Sequence, residues 1–350
     1  MPRLLLIREE QGHGGIQTVL QTLQQALVDQ GWDITTLPVR PWRWGLLSLW
    51  RAWRLAREAD VLLASNNFRP AYVAALLARL AGRPAVVWVH GPLQAVLGCD
   101  RPRTLKHRGL QALYRRCTLV CVSETSRASL LAWLGRPEPA AQVIRNPAPC
   151  PVTTEARPVV HDTAQTPAWV DLGFVGRLSK EKRPDGLLQM LRQLPAHLRL
   201  NVVGDGPLRA ELQSAGVDLE REGRLRWLGA LSVTPQTYAT WQLTLLCSAY
   251  EGYPMVALES MAAGVPCVGT PLPALQEMLG VEGAEWLAAQ DSPHALAQTV
   301  LRVLQTPPDS RRERALAIAR RHDAATFGQQ WHAVLLGQMQ GRSLKAREPA

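Results

Sequence analysis

Two carboxylates, Glu251 and Glu259, lie in an otherwise apolar segment of small residues that runs from 251 to 270. Burying a lone carboxylate costs several kcal/mol unless donors surround it, so we expect hydroxyl or N–H groups around Glu259. The segment predicts a helix with Pro254 in its first turn and Gly264 at its C-terminal stop. Glu251 precedes this helix, where free backbone N–H groups can meet an anion or a sugar. The segment therefore predicts a ligand site.

A basic cluster directly follows the predicted strand that ends at Gly176. Arg and Lys side chains in this cluster can neutralise a nucleoside diphosphate, because cations at a strand edge act strongly on phosphate oxygens in a partly dry cleft. Lys180 and Arg183 fit solvated surface charge equally well. The chain has no Asp-x-Asp motif, and these cations make a metal unnecessary. We therefore expect no metal and no other cofactor.

Two further features lie at predicted strand ends in the first half of the chain. His90 ends a strand, and residues at the carboxyl edge of a parallel sheet point into the ligand crevice. The alternative is a histidine that only caps its strand. The turn at 11–15, with Gly14 and Gly15, lets a ligand approach the N–H groups of the next helix, although it also suits a structural turn. Its spacing is not GxGxxG, which argues against a nicotinamide nucleotide.

Strands alternate with helices through both halves, which predicts doubly wound parallel sheets. The predicted strands are 3–8, 33–39, 60–64, 85–90, 118–123 and 142–146, then 171–176, 198–203, 225–228, 243–248 and 266–269. The predicted helices are 16–30, 71–81 and 125–134, then 183–193, 207–215, 254–263, 273–279, 293–304 and 326–339.

The length of 350 residues suits two domains, each able to bury a core. We predict an N-terminal domain at 1–148, a linker at 149–168 that is rich in Pro, Thr and Ala, and a second domain at 169–325. The C-terminal helix is placed at 326–350.

Composition limits the function classes. Residues 1–150 hold 19 Lys and Arg against 9 Asp and Glu, whereas residues 151–350 hold 20 of each. The excess in the first half suggests an acidic partner or surface, but no nucleic-acid-binding signature is present.

Six cysteines without CxxC spacing indicate a reduced, cytoplasmic location and argue against zinc. No run of 18 apolar residues is present, and the N-terminus is expected to be a strand and not a signal peptide.

The two glutamates, with Gly252, Tyr253, Pro254 and Met255 after the first, resemble the donor-site motif of the retaining glycosyltransferases of family 4. The run from 173 to 184 resembles a second motif of that family, which binds the diphosphate. The resemblance implies the GT-B fold, in which two Rossmann-like domains with parallel sheets face each other across a cleft. It further implies that the N-terminal domain takes the acceptor, that the second domain binds the nucleotide-sugar donor, and that the C-terminal helix returns to the N-terminal domain.

The resemblance also implies roles for residues. His90 and Glu251 are the catalytic candidates, with Glu251 gripping sugar hydroxyls and Glu259 holding the ribose. Arg177 and Lys182 match the diphosphate ligands. The full set expected to bind the donor is Gly14, Gly15, Arg177, Lys182, Leu228, Gly252, Tyr253, Pro254, Met255 and Glu259. The 252–255 sequence favours a UDP-sugar by analogy with the family.

Residues 41–57 contain four Trp and four Arg, a composition that a bilayer interface selects. Contact of this segment with an anionic membrane surface is one hypothesis. The alternative is an amphipathic helix that packs an apolar stripe on the sheet. That stripe would consist of Leu46, Leu49, Trp50 and Trp53.

Together these features predict an enzyme that moves a sugar from a nucleotide-diphosphate sugar to a hydroxyl of a glycan or lipid-linked acceptor. A lipopolysaccharide core intermediate, or another cell-surface polysaccharide, fits a cytoplasmic enzyme at the inner face of the membrane. A nucleotide-sugar epimerase of the same fold and a non-catalytic sugar-nucleotide-binding protein are the alternatives.

Overall fold

A computed structural model describes residues 1–9, 15–39, 46–100, 104–135, 141–149 and 169–345 of the chain. The chain forms two compact units: unit 1 comprises Met1–Pro147 with Ala324–Ala350, and unit 2 comprises Ala148–Asp323. Nearly all of the predicted linker, and Gly14, lie outside the described residues. None of the helices in the described ranges is long and apolar enough to cross a bilayer.

The strands of the described residues follow the predicted order. They are β1 Arg3–Glu9, β2 Asp33–Val39, β3 Val61–Ala64, β4 Ala85–Val89, β5 Thr118–Cys121, β6 Ala141–Val143, β7 Val170–Val175, β8 Leu198–Val203, β9 Leu225–Gly229, β10 Leu243–Leu246 and β11 Cys267–Gly269. Unit 1 has one sheet in the order β2-β1-β3-β4-β5-β6, and unit 2 has one in the order β11-β10-β7-β8-β9. All strand pairs in both sheets are parallel. The predicted class, two α/β domains with parallel Rossmann-like sheets, is confirmed.

The helices connect these strands. They are α1 Gly15–Asp29, α2 Leu46–Glu58, α3 Arg69–Ala81, α4 Leu93–Leu97, α5 Leu105–Tyr114, α6 Glu124–Leu134, α7 Asp185–Arg192, α8 Arg209–Ala215, α9 Val217–Arg221, α10 Pro235–Ala239, α11 Met255–Ala262, α12 Pro273–Leu279, α13 Pro293–Gln305, α14 Pro308–Arg320 and α15 Ala324–Lys345. Helix α15 lies in unit 1, where Trp331 packs at 4.8 Å between ring centroids on Trp88 of β4.

Each sheet has one point at which the strand order reverses. In unit 1 the chain adds β2 on one side of β1 and β3 on the other, and in unit 2 it adds β8 on one side of β7 and β10 on the other. In each sheet, the loops that follow the two strands at this reversal point run in opposite directions. They leave a crevice between them at the carboxyl edge of the sheet. Ligands of open α/β sheets bind in such crevices.

Local backbone rules explain where several elements begin and end. Gly264 follows α11 with φ +78°, the left-handed conformation that stops a helix, as the sequence predicted. Pro254 is not in the first helical turn: its ψ of 102° makes it the extended residue before α11. Helix α7 begins at Asp185 and not at Arg183, because Arg183 has φ +48° and forms two hydrogen bonds with the Asp291 carboxylate.

Helix α2 differs from one of the two interpretations of this segment, the one in which an apolar stripe packs on the sheet. The apolar residues predicted to pack on the sheet were Leu46, Leu49, Trp50 and Trp53. The side chain of Leu46 is outside the described part of the chain. Leu49 and Trp50 are exposed, and the exposed fraction of Trp50 is 56%. Trp53 is half-buried against the core, while Ala52 and Ala56 are fully buried. Since alanine adds no bulk beyond Cβ, the helix lies close to its neighbours and the larger side chains turn outward.

Candidate functional site

The crevice of unit 2 brings together residues that are far apart in sequence. Lys182 follows β7, and Glu251 follows β10, its neighbour in the sheet. The Lys182 Nζ atom lies 2.5 Å from Glu251 Oε1, and Ser248 Oγ donates a hydrogen bond of 2.6 Å to the same oxygen. The Ala249 N–H donates to the Glu181 carbonyl at 2.7 Å and so ties the two loops together. We call Lys182, Ser248 and Glu251 the switch-point cluster.

The switch-point cluster is partly shielded from water. The side chain of Lys182 is 26% exposed and that of Glu251 is 12% exposed. An ion pair at this depth interacts more strongly than a surface pair, and it leaves an uncompensated charge if one partner is removed. An anionic ligand can therefore compete with Glu251 for Lys182, and the freed carboxylate can then accept hydrogen bonds from hydroxyl groups.

Glu259 lies on α11 beside Tyr238 of α10. The Tyr238 hydroxyl donates a hydrogen bond of 2.8 Å to Glu259 Oε2, which is the kind of donor that the sequence predicted. Burial raises the pKa of Glu259 above its ordinary value, and the Tyr238 hydrogen bond opposes that shift. No described residue donates to the second oxygen, Oε1, which remains able to accept from a ligand.

The 252–255 segment is buried and held from within unit 2. Tyr253 is 5% exposed, and its hydroxyl lies 2.5 Å from Nε2 of His322. His322 Nδ1 lies 3.0 Å from the Ile318 carbonyl, which can only accept, so Nδ1 carries the proton. Nε2 is then the acceptor and the Tyr253 hydroxyl donates to it. The hydroxyl of Tyr253 is thus committed to His322, and this contact orients the loop that carries Glu251.

The remaining donor-binding candidates of unit 2 lie at the same carboxyl edge. Arg177 follows Gly176 at the end of β7 and is exposed, and Leu228 lies at the end of β9 with 36% exposure. Gly204 follows β8 with φ +137°, and a Cβ there would lie 1.9 Å from the Gly176 carbonyl oxygen. Only glycine therefore lets these strand ends approach each other so closely.

His90 occupies the corresponding edge of unit 1, just after β4. Its backbone N–H donates to Asn67 Oδ1 at 2.9 Å. Burial lowers the pKa of His90 to about 4, although a hydrogen bond to the Ser65 backbone acts to raise this pKa. Among the described residues no group lies within hydrogen-bond distance of the buried Nε2, so we assign the bond to Ser65 to Nδ1. His90 is therefore neutral at neutral pH and keeps an unused acceptor.

A small cavity of about 80 Å³ lies at the switch point of unit 1. Arg8 and Glu9 from the end of β1, Gln17 of α1, and Ser65 and Asn66 after β3 line it. Gly15 begins α1 nearby in sequence. Sequence reasoning missed these polar residues, although a Ser-Asn-Asn run directly after a buried strand is the kind of signal that marks a crevice.

Within the described ranges, no group of three or more His, Cys, Asp or Glu side chains is placed to hold a metal ion.

Ser248 and Tyr238 are the other residues that sequence reasoning missed in unit 2. The sequence predicted that Ser248 lies inside a strand. In the structure β10 ends at Leu246, so Ser248 lies in the following loop and joins the switch-point cluster. Tyr238 carried no signal, because its distance of 21 residues from Glu259 has no periodic meaning.

Two family models match the chain. The model described as Glycosyltransferase Family 4 matches residues 36–150, and the model described as Glycosyl transferases group 1 matches residues 170–306. Together they cover well over half of the chain.

Among similar proteins, the lipopolysaccharide 1,6-galactosyltransferase of Escherichia coli (strain K12) is 34% identical over 101 residues, which are 27% of this chain and 28% of that protein. The 2-deoxystreptamine glucosyltransferase of Streptomyces kanamyceticus is 29% identical over 249 residues, 66% of this chain and 64% of that protein. The match thus spans less than two thirds of either relative.

Among solved structures, Anabaena HepE in complex with UDP and glucose superimposes with a TM-score of 0.78 at 20% identity, covering 96% of this chain and all of that one. This likeness shows a shared fold. The family models, the two parallel sheets and this superposition agree, and the chain belongs to the family 4 glycosyltransferases of GT-B fold.

Proposed function

We propose that the protein is a retaining glycosyltransferase that moves a sugar from a UDP-sugar to a hydroxyl of a cell-surface glycan or lipid-linked acceptor. The observation that supports this most directly is the switch-point cluster, in which a lysine and a carboxylate lie 2.5 Å apart at the crevice of unit 2. Glu259, with one free oxygen, occupies the same unit. A nucleotide-sugar requires a cation to bind its diphosphate and two carboxylates to bind its hydroxyl groups.

The diphosphate leaves with increased negative charge, so cations that contact it stabilise the transition state more than the ground state. Lys182 is already desolvated by its contact with Glu251, and Arg177 lies five residues before it with no described acid within hydrogen-bond distance. We assign both to the diphosphate. No step requires a metal ion, because these two cations supply the compensating charge.

In our proposal the acceptor hydroxyl attacks from the face that the diphosphate leaves, which retains the configuration of the anomeric carbon. Lys182 turns from Glu251 to the phosphates when the donor binds. Glu251 then accepts hydrogen bonds from sugar hydroxyls and so positions the anomeric carbon for that attack. We assign neutral His90 to a sugar hydroxyl, a contact that requires its buried Nε2 to become accessible when the sugar binds. Because the pKa of His90 is lowered to about 4, this role should not change between pH 6 and pH 8.

The choice of UDP is supported by the shared fold with HepE, whose structure contains UDP and glucose. The acceptor is supported by the similarity to a lipopolysaccharide galactosyltransferase. The polar cavity of unit 1, with Arg8 and Asn66, offers donors and acceptors for glycan hydroxyls. We propose a lipopolysaccharide core intermediate as the acceptor class.

A cytoplasmic enzyme on such an acceptor would work at the inner membrane surface. Helix α2 supports this, since Leu47, Leu49 and Trp50 are exposed on a helix that also carries three arginines. Serine at these three positions should weaken binding to vesicles that contain phosphatidylglycerol. A serine at Val281, which is 92% exposed in unit 2, is the control. Unchanged binding by the triple variant would refute the α2 contact.

The donor is tested with a thermal-shift panel of UDP-, GDP-, ADP- and CMP-sugars, with and without EDTA, on wild type and Glu259→Ala. A ligand at 100 times its dissociation constant stabilises a protein by about 2.7 kcal/mol, which is easily detected. We expect a UDP-sugar to respond in EDTA and the response to be lost in the variant. Absence of any response in wild type would favour a non-catalytic protein, and an epimerised donor formed without acceptor would favour an epimerase.

A further inference from the structure

Unit 1 contains a groove of about 850 Å³ at the amino ends of β4 and β5, the opposite edge of the sheet from His90. Pro84 and Cys117, which precede the two strands, form its inner end. Helix α3 forms one wall, helix α5 forms the other, and residues 337 and 338 of α15 also line it. We call it the α3–α5 groove. Its volume lies within the range of small-molecule sites, about 300–1,000 Å³.

The groove is open because small residues face it from both walls. Ala75 and Gly82 from the α3 side and Gly109 and Ala112 from α5 line it. A Cβ built on Gly109 would meet no atom within 4 Å, so there is room for a side chain there. The helices therefore leave an apolar channel that larger residues at these positions would have closed.

Positive charge surrounds this apolar channel. Arg79, Arg83 and Arg116 line it, and neither α3 nor α5 contains an acidic residue. Arg83 is partly engaged, with Asp60 at 3.8 Å and a hydrogen bond to the Arg57 carbonyl. In the described part of the chain, Arg79 and Arg116 have no acidic partner. Two guanidinium groups are thus available for an anion at the mouth of an apolar groove.

Exposed apolar side chains continue the groove outward. Leu76 lines it and is 52% exposed, and Leu80, on the same helix, is 59% exposed. The hydroxyl of Tyr72, also in the lining, is buried and has no hydrogen-bond partner among the described residues. A small inorganic anion would satisfy the arginines but would leave these leucines in water. The lining therefore matches a molecule with an anionic head and an apolar chain.

We propose that the α3–α5 groove binds an anionic phospholipid. One acyl chain lies over Ala75, Gly109 and Ala112, and the phosphate is bound by Arg79 and Arg116, since arginine binds phosphate through two parallel hydrogen bonds. This site differs from the exposed residues of α2 and does not depend on the donor site. It would hold unit 1 at the membrane by a specific lipid, in addition to any contact of α2 with the surface.

The test uses dihexanoyl phosphatidylglycerol below its micelle concentration, so that no membrane surface is present for α2 to bind. The readout is the thermal midpoint of the full chain. Glycerol 3-phosphate provides the head group without chains, and dihexanoyl phosphatidylcholine provides the chains without net charge. We expect stabilisation by phosphatidylglycerol and at least a tenfold weaker response to each of the other two.

Two variants locate the site. Gly109→Phe fills the groove at an open helical position, and Gly109→Ala is its matched control, which adds a methyl group and should keep binding. Arg79→Glu with Arg116→Glu reverses the phosphate ligands, and Arg221→Glu with Arg226→Glu makes the same change in net charge on unit 2. Loss of the shift in the first member of each pair, and its retention in the second, supports the proposal.

Three results would overturn it: no shift in wild type, an equal shift with glycerol 3-phosphate, or a shift that survives in Gly109→Phe. Each variant is also tested for its response to the nucleotide-sugar donor. A variant that still binds donor is folded, so loss of the lipid response cannot then be ascribed to unfolding. Failure of the donor proposal would leave the lipid result interpretable, because far-ultraviolet circular dichroism checks the fold independently.

Discussion

Replacing Glu259 by glutamine separates the charge of this residue from its shape. Glutamine keeps an oxygen that can accept from the Tyr238 hydroxyl, which lies 2.8 Å from Glu259 Oε2, but it cannot ionise. The free oxygen, Oε1, is the proposed acceptor for the ribose. A hydrogen bond to a charged group contributes about 1.5–3 kcal/mol. Loss of one such bond should therefore weaken donor binding by about 10- to 150-fold, at 1.4 kcal/mol for each factor of ten.

The same substitution should remove a pH dependence. Burial raises the pKa of Glu259, so in wild type the carboxylate becomes protonated at a pH above the usual range for glutamate. Donor affinity of wild type should fall as the pH decreases through this raised pKa, whereas the affinity of Glu259→Gln should stay flat. Calorimetric titration of the responding nucleotide-sugar from pH 7.5 to pH 5 measures both curves.

The stability of the ligand-free protein should change in the opposite sense. A folded-state pKa above the unfolded value means that the contribution of Glu259 to stability is present below the unfolded pKa and is lost as the pH rises through the folded pKa. At pH 7 Glu259→Gln should therefore be as stable as wild type or more stable, by urea unfolding. Full donor affinity in the glutamine variant would refute the assignment of Glu259 to the donor.

Three further substitutions, one of them with a matched control, test other parts of the structure. Lys182→Met keeps most of the length of the side chain but not its charge, and we expect at least a tenfold weaker donor affinity by calorimetry; equal affinity would remove Lys182 from the diphosphate site. Gly173→Ala should destabilise the protein by about 3 kcal/mol in urea, because its Cβ would lie 1.9 Å from the Trp241 ring. Gly186→Ala, whose Cβ meets nothing within 4 Å, should not destabilise it. Tyr253→Phe should cost about 1–3 kcal/mol, because a buried histidine nitrogen loses its donor; wild-type stability would show that this bond is not needed.

The sequence by itself determined the class of the fold and the position of most elements. Parallel strands that are buried on both faces need continuous apolar runs, and such runs are visible without any tertiary information. It also marked Glu251 and Glu259 as candidate site residues, because carboxylates in an apolar segment have few structural explanations, whereas Lys182 was chosen through the family resemblance. Gly264 was predictable for a similar reason, since a helix that stops before a buried strand needs a left-handed residue.

Only the tertiary structure decided which of these residues meet. Lys182 and Glu251 are 69 residues apart and Tyr253 and His322 are 69 residues apart, and each pair depends on which strands and helices become neighbours. The shift of the His90 pKa likewise depends on what surrounds the ring. Hydrophobic patterning is local and can be read along the chain, whereas burial of one polar group against another depends on packing between distant segments. For the same reason the outward face of α2, where Trp50 is exposed, could not be predicted from its apolar pattern.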